Sequence, residues 1–417
     1  MSHPQLPTIL YLAESFPFDL AGGYQQRISS TILTLTTQAR VRLLSFHPQS
    51  LTLKQQTCLV TDFANQLPPA LKTQFLSRFS WEVIYEPKIH QPIQERWREW
   101  LKSFLTQQPF LVWQYQNSEF NLRLKNLINQ LKPQVIHISH LRLAANLIQQ
   151  LDQLRSAETT TPTRPRLIYE AVNVEWQLIA SQVQYLSKWG RWRWWWWREE
   201  KLTQNFERRV TAMFDLIITL SDQDARDLKK LQPKIRQILV WPVTQLPWQN
   251  DSAPAPTSTL ALTQTPVGTD CNLVFVGNLN WLPNADAIKW FLTEVWPTLA
   301  LTHPNLKLSV IGESCSFLTL TPRVAAERVI FTGFVTELES WLNQAQIGIL
   351  PFRMGSGVRL KALTYIFHNL PIVSTQLGMQ GLDFPKNQTF LLAKNKSEFI
   401  QKINLLIANP QLRTQIS

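Results

Sequence analysis

Residues 347–361 read IGILPFRMGSGVRLK, an apolar, β-rich run that passes through a loop with glycines at 355 and 357 into the start of an amphipathic segment. A strand that hands over to a helix through a glycine loop belongs to a parallel βαβ unit, in which ligands meet the carboxyl end of the strand. Gly355 and Gly357 let the backbone approach an anion closely. The N–H groups that open the next helix have no partner within it and lie at the positive end of its dipole, so the loop is suited to cradle a diphosphate. Arg359 and Lys361 add charge-assisted bonds to the same anion. Spacing alone leaves a second reading open, a tight turn followed by a solvated basic pair.

Outward from this loop the same scheme recurs. Strands are predicted at Asn272–Val276, Lys307–Ile311, Val329–Phe331, Ile347–Leu350 and Pro371–Ser374, and in the first half at Thr8–Ala13, Val41–Phe46, Val135–Ile138, Leu167–Tyr169 and Leu216–Leu220. Longer amphipathic stretches such as Tyr24–Gln38 lie between them. Ser221 with Asp224 three residues on forms a capping box and predicts a helix over Asp222–Leu231. Pro247, Pro254, Pro256 and Pro266 punctuate a stretch of Ser, Thr, Gln and Asn without Lys or Arg, which reads as a linker. The expectation is an α/β chain with a first domain at 1–245, a linker at 246–270 and a second domain at 271–417.

Composition narrows the class. At 417 residues the chain exceeds what one core usually supports, and 44% hydrophobic with 17% charged residues fits folded domains. Three cysteines without close spacing argue neither a disulfide framework nor a zinc site, which suits a reducing compartment. No run of eighteen apolar residues predicts a bilayer-spanning helix, and the start lacks the pattern of a signal peptide. The net charge of +12 is concentrated in residues 1–245, with 29 Lys/Arg against 19 Asp/Glu. Such a bias suits anionic lipid or a phosphorylated acceptor; no nucleic-acid motif accompanies it, and no nucleic-acid partner is expected.

Several pieces then resemble a known family, in order along the chain: ILYLAESFPFDLAGGYQQR (Ile9–Arg27), YEAVNVEW (Tyr169–Trp176), REEKLTQNFERRV (Arg198–Val210), FVGNLNWLPNADAIKWF (Phe275–Phe291), LSVIGE (Leu308–Glu313), FTGFV (Phe331–Val335), and GSGVRLKAL followed by NLPIVSTQLGMQGLDF. Together they resemble the family 4 retaining glycosyltransferases, and more closely a bacterial branch associated with exopolysaccharide and envelope sugar synthesis. The resemblance implies a GT-B architecture of two doubly wound Rossmann-like domains facing across a cleft. It also implies retention of configuration, no metal, and no cofactor beyond the nucleotide diphosphate sugar that serves as donor. By the same resemblance Gly355, Gly357, Arg359 and Lys361 face the donor diphosphate, and Gly22 and Gly23 form a loop near the phosphates or the acceptor.

The chain departs from that family at instructive places. The usual pair of glutamates eight positions apart falls on Ser356 and Thr364. Both are retained as expected donor-site residues, although one Thr364 hydroxyl cannot bridge two ribose hydroxyls as a carboxylate can. His368-Asn369 replaces the small-residue helix end, and Gln380 stands where several relatives have glutamate. A non-catalytic GT-B protein that binds nucleotide or glycan as a scaffold therefore stays open beside the transferase. A nucleotide-sugar epimerase is disfavoured by the absence of a GxGxxG opening.

His137 and His140 end the strand in VIHISH; His140, beyond the strand, is the expected catalytic contact to the transferred sugar, with a structural histidine as the alternative. Asn173 and Glu175 follow the next strand and are expected to bind the acceptor, with capping or solvation as the alternative. Residues 188–198, KWGRWRWWWWR, hold six of 17 tryptophans. At about 100° per residue Trp194 to Trp197 point all round a helix axis, so one or two indoles should be exposed. Trp192, Trp194, Trp195, Trp196 and Trp197 are expected to meet a membrane surface, with aromatic packing as the alternative. The whole reads as a cytoplasmic protein, or one peripheral at the inner face of the cytoplasmic membrane, that moves a sugar onto a glycan or lipid-linked acceptor.

Overall fold

The computed structural model describes residues 6–19, 23–87, 96–156, 164–186, 193–241, 271–313, 326–335, 337–382 and 390–416. They fall into two compact units: Met1–Trp176 with Arg191–Ala253, and Gln177–Gly190 with Pro254–Ser417. The expected linker at 246–270 lies outside the described residues. Residues Gln177–Gly190, placed by sequence in the first domain, group with the second unit.

The first unit is built on a parallel sheet of β1 (Thr8–Ala13), β2 (Arg40–His47), β3 (Phe79–Tyr85), β4 (Val135–Ile138), β5 (Arg166–Ala171), β6 (Leu216–Thr219) and β7 (Ile238–Val240), in the order β3-β2-β1-β4-β5-β6-β7. The inner strands are near-continuous apolar runs, because helices cover both faces of a parallel sheet. The order runs outward both ways from the β1–β4 pair, which is therefore the topological switch point. Beneath it lies a buried charge cluster. Glu170 of β5, with no exposed surface, accepts from Arg27 Nε (2.6 Å) in the helix Gly23–Thr36 and from Tyr11 Oη (2.9 Å) in β1. It also lies 3.3 Å from His137 Nε2 in β4. His137 is thus a core residue, and one carboxylate ties three strands and a helix together.

The second unit repeats the plan with β8 (Asn272–Val276), β9 (Lys307–Ile311), β10 (Val329–Gly333), β11 (Ile347–Leu350), β12 (Ile372–Ser374) and β13 (Phe390–Leu392), ordered β10-β9-β8-β11-β12-β13 and parallel throughout. Its switch point is the β8–β11 pair. Tyr365, fully buried in the helix Leu360–Phe367, accepts the Val276 N–H (2.8 Å) and donates to the Val274 carbonyl (3.3 Å). That contact needs Gly348, where a Cβ would meet the Tyr365 ring at 2.5 Å. The helical run from Leu282 takes a π turn at Phe291–Val295, just before Pro297, which has no N–H to return to the preceding turn. Among the described residues no helix is long and apolar enough to cross a membrane.

Removing the Glu170 carboxylate would leave Arg27 and His137 buried without it, so Glu170→Ala should destabilise the first unit by about 3 kcal/mol or more in urea unfolding. Burial alone would raise this carboxyl, yet His137 and Arg27 hold it down to about 2. A depressed acid stabilises above its unfolded value and loses that contribution as pH falls through its folded value. The first unit's stability should therefore drop between about pH 4.5 and pH 2, and this drop should be smaller in Glu170→Gln.

Candidate functional site

In the second unit the loop between β11 and the helix Leu360–Phe367 stands at the switch point, where the sequence reading placed it. Gly355 and Gly357 take φ of +132° and +77°, conformations that disfavour any side chain. Arg353 fixes the start of the loop by two bonds to Asp286, one of 3.0 Å from Nε. Gly355 donates its N–H to Ser181 Oγ at 2.8 Å. Arg359 is the N-cap of the helix, and its own side chain makes no cap hydrogen bond.

The two cations are not a solvated pair. Arg359 is 4% exposed, and its guanidinium lies 4.8 Å from the Phe352 ring and 5.2 Å from the Trp281 ring. It folds back on the loop so closely that a Cβ at Gly355 would overlap it. Lys361 donates to Asn284 Oδ1 (2.7 Å) and sits over Phe275 (4.6 Å) and Phe352 (4.9 Å). A Cβ at Gly277 would meet its Nζ at 2.5 Å, so the Gly277-Asn278 turn after β8 is part of the enclosure. Burial, then the neighbouring Arg359 charge, push the Lys361 ammonium well below the ordinary lysine range. Among the described residues Lys361 has no carboxylate at ion-pair distance. The hydrogen-bond acceptor that Lys361 uses, Asn284, is neutral.

Ser356 is buried at 1% exposure, and Thr364 Oγ1 turns back to the Leu360 carbonyl at 3.4 Å. Sequence reasoning missed Trp281, Asn284 and Phe352. The one available signal was the close match of GNLNW to a strand-to-helix turn on the strand adjacent to the glycine loop.

In the first unit the carboxyl ends of β1, β4 and β5 bring together Glu14, His140 and Glu175. His140 is 4% exposed; its Nδ1 faces the Arg142 N–H at 3.5 Å and lies 3.6 Å from Glu14 Oε2, and its Nε2 lies 3.2 Å from Glu175 Oε1. The Arg142 guanidinium comes within 3.9 Å of both carboxylates. Asn173 bonds the Glu175 carboxylate. The expected catalytic histidine and the two expected acceptor residues thus form one cluster. Gly23 opens the helix Gly23–Thr36, and Gly22 lies outside the described residues.

Burial, then Arg142, keep His140 neutral, well below the ordinary imidazole value. Burial pushes Glu14 up to about 7, against the pull of Arg142 and helped by Glu175. Burial also raises Glu175, and it raises Glu207 to about 8, although Glu207 accepts the Glu175 and Trp176 N–H groups at the helix start. The contact of His140 with Glu14 is therefore between a neutral imidazole and a carboxyl that is about half protonated near pH 7. Tyr24 completes the rim, bonded to Ser139 Oγ at 2.7 Å. Sequence reasoning missed Glu14 and Arg142, although Glu14 directly follows β1 and Arg142 lies two positions after His140.

The tryptophan run divides as helical geometry requires. Trp194 and Trp197 are 58% and 53% exposed, and Trp196 is half-buried. Trp195 corrects the expectation: it is 8% exposed because it stacks on Trp100 at 3.8 Å, so it cannot meet a membrane. Trp192 lies outside the described residues.

Two parallel, doubly wound sheets in one chain, each with polar groups gathered at its switch point, are the two Rossmann-like domains of the GT-B architecture. Residues 270–409, within the second unit, match the family model described as Glycosyl transferases group 1. A curated relative, an uncharacterized 44.6 kDa protein in the cps region of Klebsiella pneumoniae, is 27% identical over 141 residues, or 32% of this chain, and the match spans 36% of the relative's length. Solved structures resemble the chain in fold at low identity. Sucrose-phosphate synthase from Thermosynechococcus elongatus gives a TM-score of 0.63 at 13% identity, over 98% of this chain and 92% of that one. HepE of Anabaena, solved with UDP-glucose, gives 0.60 at 12% identity over the same shares. WaaG, a glycosyltransferase involved in lipopolysaccharide biosynthesis, gives 0.57 at 16%, again over 98% and 92%.

A carboxyl whose folded value exceeds its unfolded one binds an extra proton in the folded state, so stability falls as pH rises between the two values. From about pH 4.5 to about pH 7 Glu14 should reduce first-unit stability by about 3 kcal/mol. Urea midpoints at pH 5 and pH 7.5 should converge in Glu14→Gln relative to the unsubstituted protein; an unchanged difference would remove the assignment.

Proposed function

We propose that the protein is a retaining, metal-independent glycosyltransferase that takes a sugar from a nucleotide diphosphate donor and delivers it to a glycan or lipid-linked acceptor in envelope or exopolysaccharide synthesis. The observation that carries the reading is the enclosure of buried Arg359 and half-buried Lys361 by the same aromatic ring at the switch-point glycine loop, with Lys361 donating to the neutral Asn284. Fixed cations and loop amides in a dry enclosure stabilise the negative charge that grows on a departing diphosphate. Because such a reaction passes through an oxocarbenium-like state, positioning and electrostatics contribute more than a strong base. The second unit's match to group 1 glycosyl transferases supports the donor side, as does the UDP-glucose held by HepE. The cps-region relative supports the envelope context.

On this reading Ser356 and Gly357 bring amides to the phosphates, Gly355, whose N–H is taken by Ser181 Oγ, shapes the turn, and Thr364 lies in the helix beyond. In the first unit Asn173 and Glu175 hold acceptor hydroxyls, and neutral His140 is the contact offered to a sugar hydroxyl. The protein works in the cytoplasm or at the inner face of the cytoplasmic membrane. A non-catalytic, nucleotide-binding scaffold is the second reading, favoured by one observation: positions 356 and 364 carry no carboxylate, and the Thr364 hydroxyl is turned to its own helix.

Calorimetry with UDP, GDP, ADP and the matching nucleosides tests the donor site. Arg359→Ala with Lys361→Ala should weaken the bound diphosphate about a hundredfold while nucleoside affinity changes less than about threefold. Equal diphosphate affinity before and after refutes the site. Donor-sugar hydrolysis or transfer separates enzyme from scaffold, since a scaffold binds nucleotide without turnover.

A further inference from the structure

The helices Trp97–Thr106 and Arg193–Thr211 of the first unit pack on each other with their polarity reversed. Trp100 stacks on Trp195, Ser103 Oγ donates to Glu199 at 2.8 Å, and Arg198 donates to the Ser103 carbonyl at 2.6 Å. These inward groups are mostly polar: Glu99, Ser103, Arg198 and Glu199 are all buried. The outward stripe is apolar. Trp97, Leu101, Phe104 and Leu105, at i, i+4, i+7 and i+8, are 62%, 49%, 51% and 70% exposed, and Trp194 and Trp197 project from the neighbouring helix. A water-exposed helix normally shows the opposite arrangement, with its apolar stripe on the core.

Charge is sorted in the same direction. Of the acids on these two helices, Glu99, Glu199 and Glu207 are buried and Glu200 is half-buried, while Arg98, Lys102 and Lys201 are exposed beside the apolar stripe. Lys201 lies on the same helical face as Trp194 and Trp197, at i+7 and i+4. Acids withdrawn, cations presented and indoles next to aliphatic side chains are what an anionic bilayer interface accepts: rings at headgroup level, Leu and Phe in the acyl boundary, ammonium and guanidinium groups on lipid phosphates.

We infer that this two-helix face seats the protein on the surface of an anionic lipid bilayer. Nucleic acid would use the cations and the indoles but has no place for Leu101 and Leu105, and a second copy of the chain would set like charges against each other. The inference deepens the lipid-linked acceptor reading above and rests on that reading for its purpose, although the geometry of the face stands by itself.

Flotation of the full chain with vesicles tests it. Binding is expected to vesicles of phosphatidylcholine with phosphatidylglycerol, to be weaker on phosphatidylcholine alone, and to decline in about 0.5 M salt. Leu101→Ser with Leu105→Ser, and separately Trp194→Ser with Trp197→Ser, should each lower partitioning about tenfold or more. Leu301→Ser, an equally exposed leucine of the second unit, should leave it unchanged. Circular dichroism and urea midpoints of the same samples report that each variant is folded, and UDP affinity is measured beside them. Vesicle binding unaltered by both double variants overturns the inference. So does absence of binding by the unsubstituted chain, retention on nucleic acid but not vesicles, or a dimer that dissociates when Leu101 and Leu105 are replaced. If the unsubstituted chain floats with vesicles but binds no nucleotide, the transferase reading fails and the membrane face stands.

Discussion

An ammonium and a guanidinium, Lys361 and Arg359, share one aromatic enclosure in the second unit, and the Arg359 charge adds to the cost of charging Lys361. Much of the surrounding sequence is arranged to permit this. Gly277 and Gly355 forgo side chains so that the two cations fit, and Gly348 does so for the tyrosine that sets the helix carrying Lys361. Asn284 supplies a neutral acceptor, and Arg353 is neutralised by Asp286 and so kept out of the enclosure. Both cations are thereby held at the carboxyl ends of the strands, the edge at which ligands meet sheets of this kind.

The first unit shows how position in one sheet decides the state of a carboxyl. Glu170 lies within the sheet with Arg27 and His137 against its oxygens, and it stays ionised to about pH 2. Glu175 and Glu207 are buried to a similar degree near the carboxyl edge, with Glu14 half-buried beside them, but their cation, Arg142, approaches no closer than 3.9 Å and is divided between Glu14 and Glu175. Burial then prevails and they hold their protons more tightly. The former arrangement suits architecture, whereas the latter leaves groups that titrate at the carboxyl edge of the sheet.

The inner strands could be read from sequence because a parallel sheet covered on both faces writes itself as uninterrupted apolar runs; β1, β4, β8, β9 and β11 have the predicted ends. Strands β3, β7 and β13 went unread. β3, with Glu82 and Trp81 half-buried in FSWEVIY, is an edge strand whose pattern is mixed, and β7 and β13 are three residues long. The glycine loop was legible, whereas the burial of its cations was not, because Asn284, Trp281 and Phe275 reach them from more than 75 positions away. Trp194 to Trp197 split as the helical angle demands. The outward stripe of Trp97–Thr106 escaped notice for a plain reason: spacing shows that a face is apolar, never which way it turns.

The parallel topology also governs the order in which the first unit can be assembled. No two of its strands can pair through a tight turn, and Thr8 meets Gln134 across 126 positions at the very pair, β1 and β4, that forms the switch point. Closing so long a loop is entropically slower than pairing β1 with β2, and β6 with β7 must still be added from beyond residue 215. Glu14 and His140 therefore come together late in folding, after most of the unit's chain has emerged, and a nascent first unit would have its apolar strands exposed well before it had a site to use.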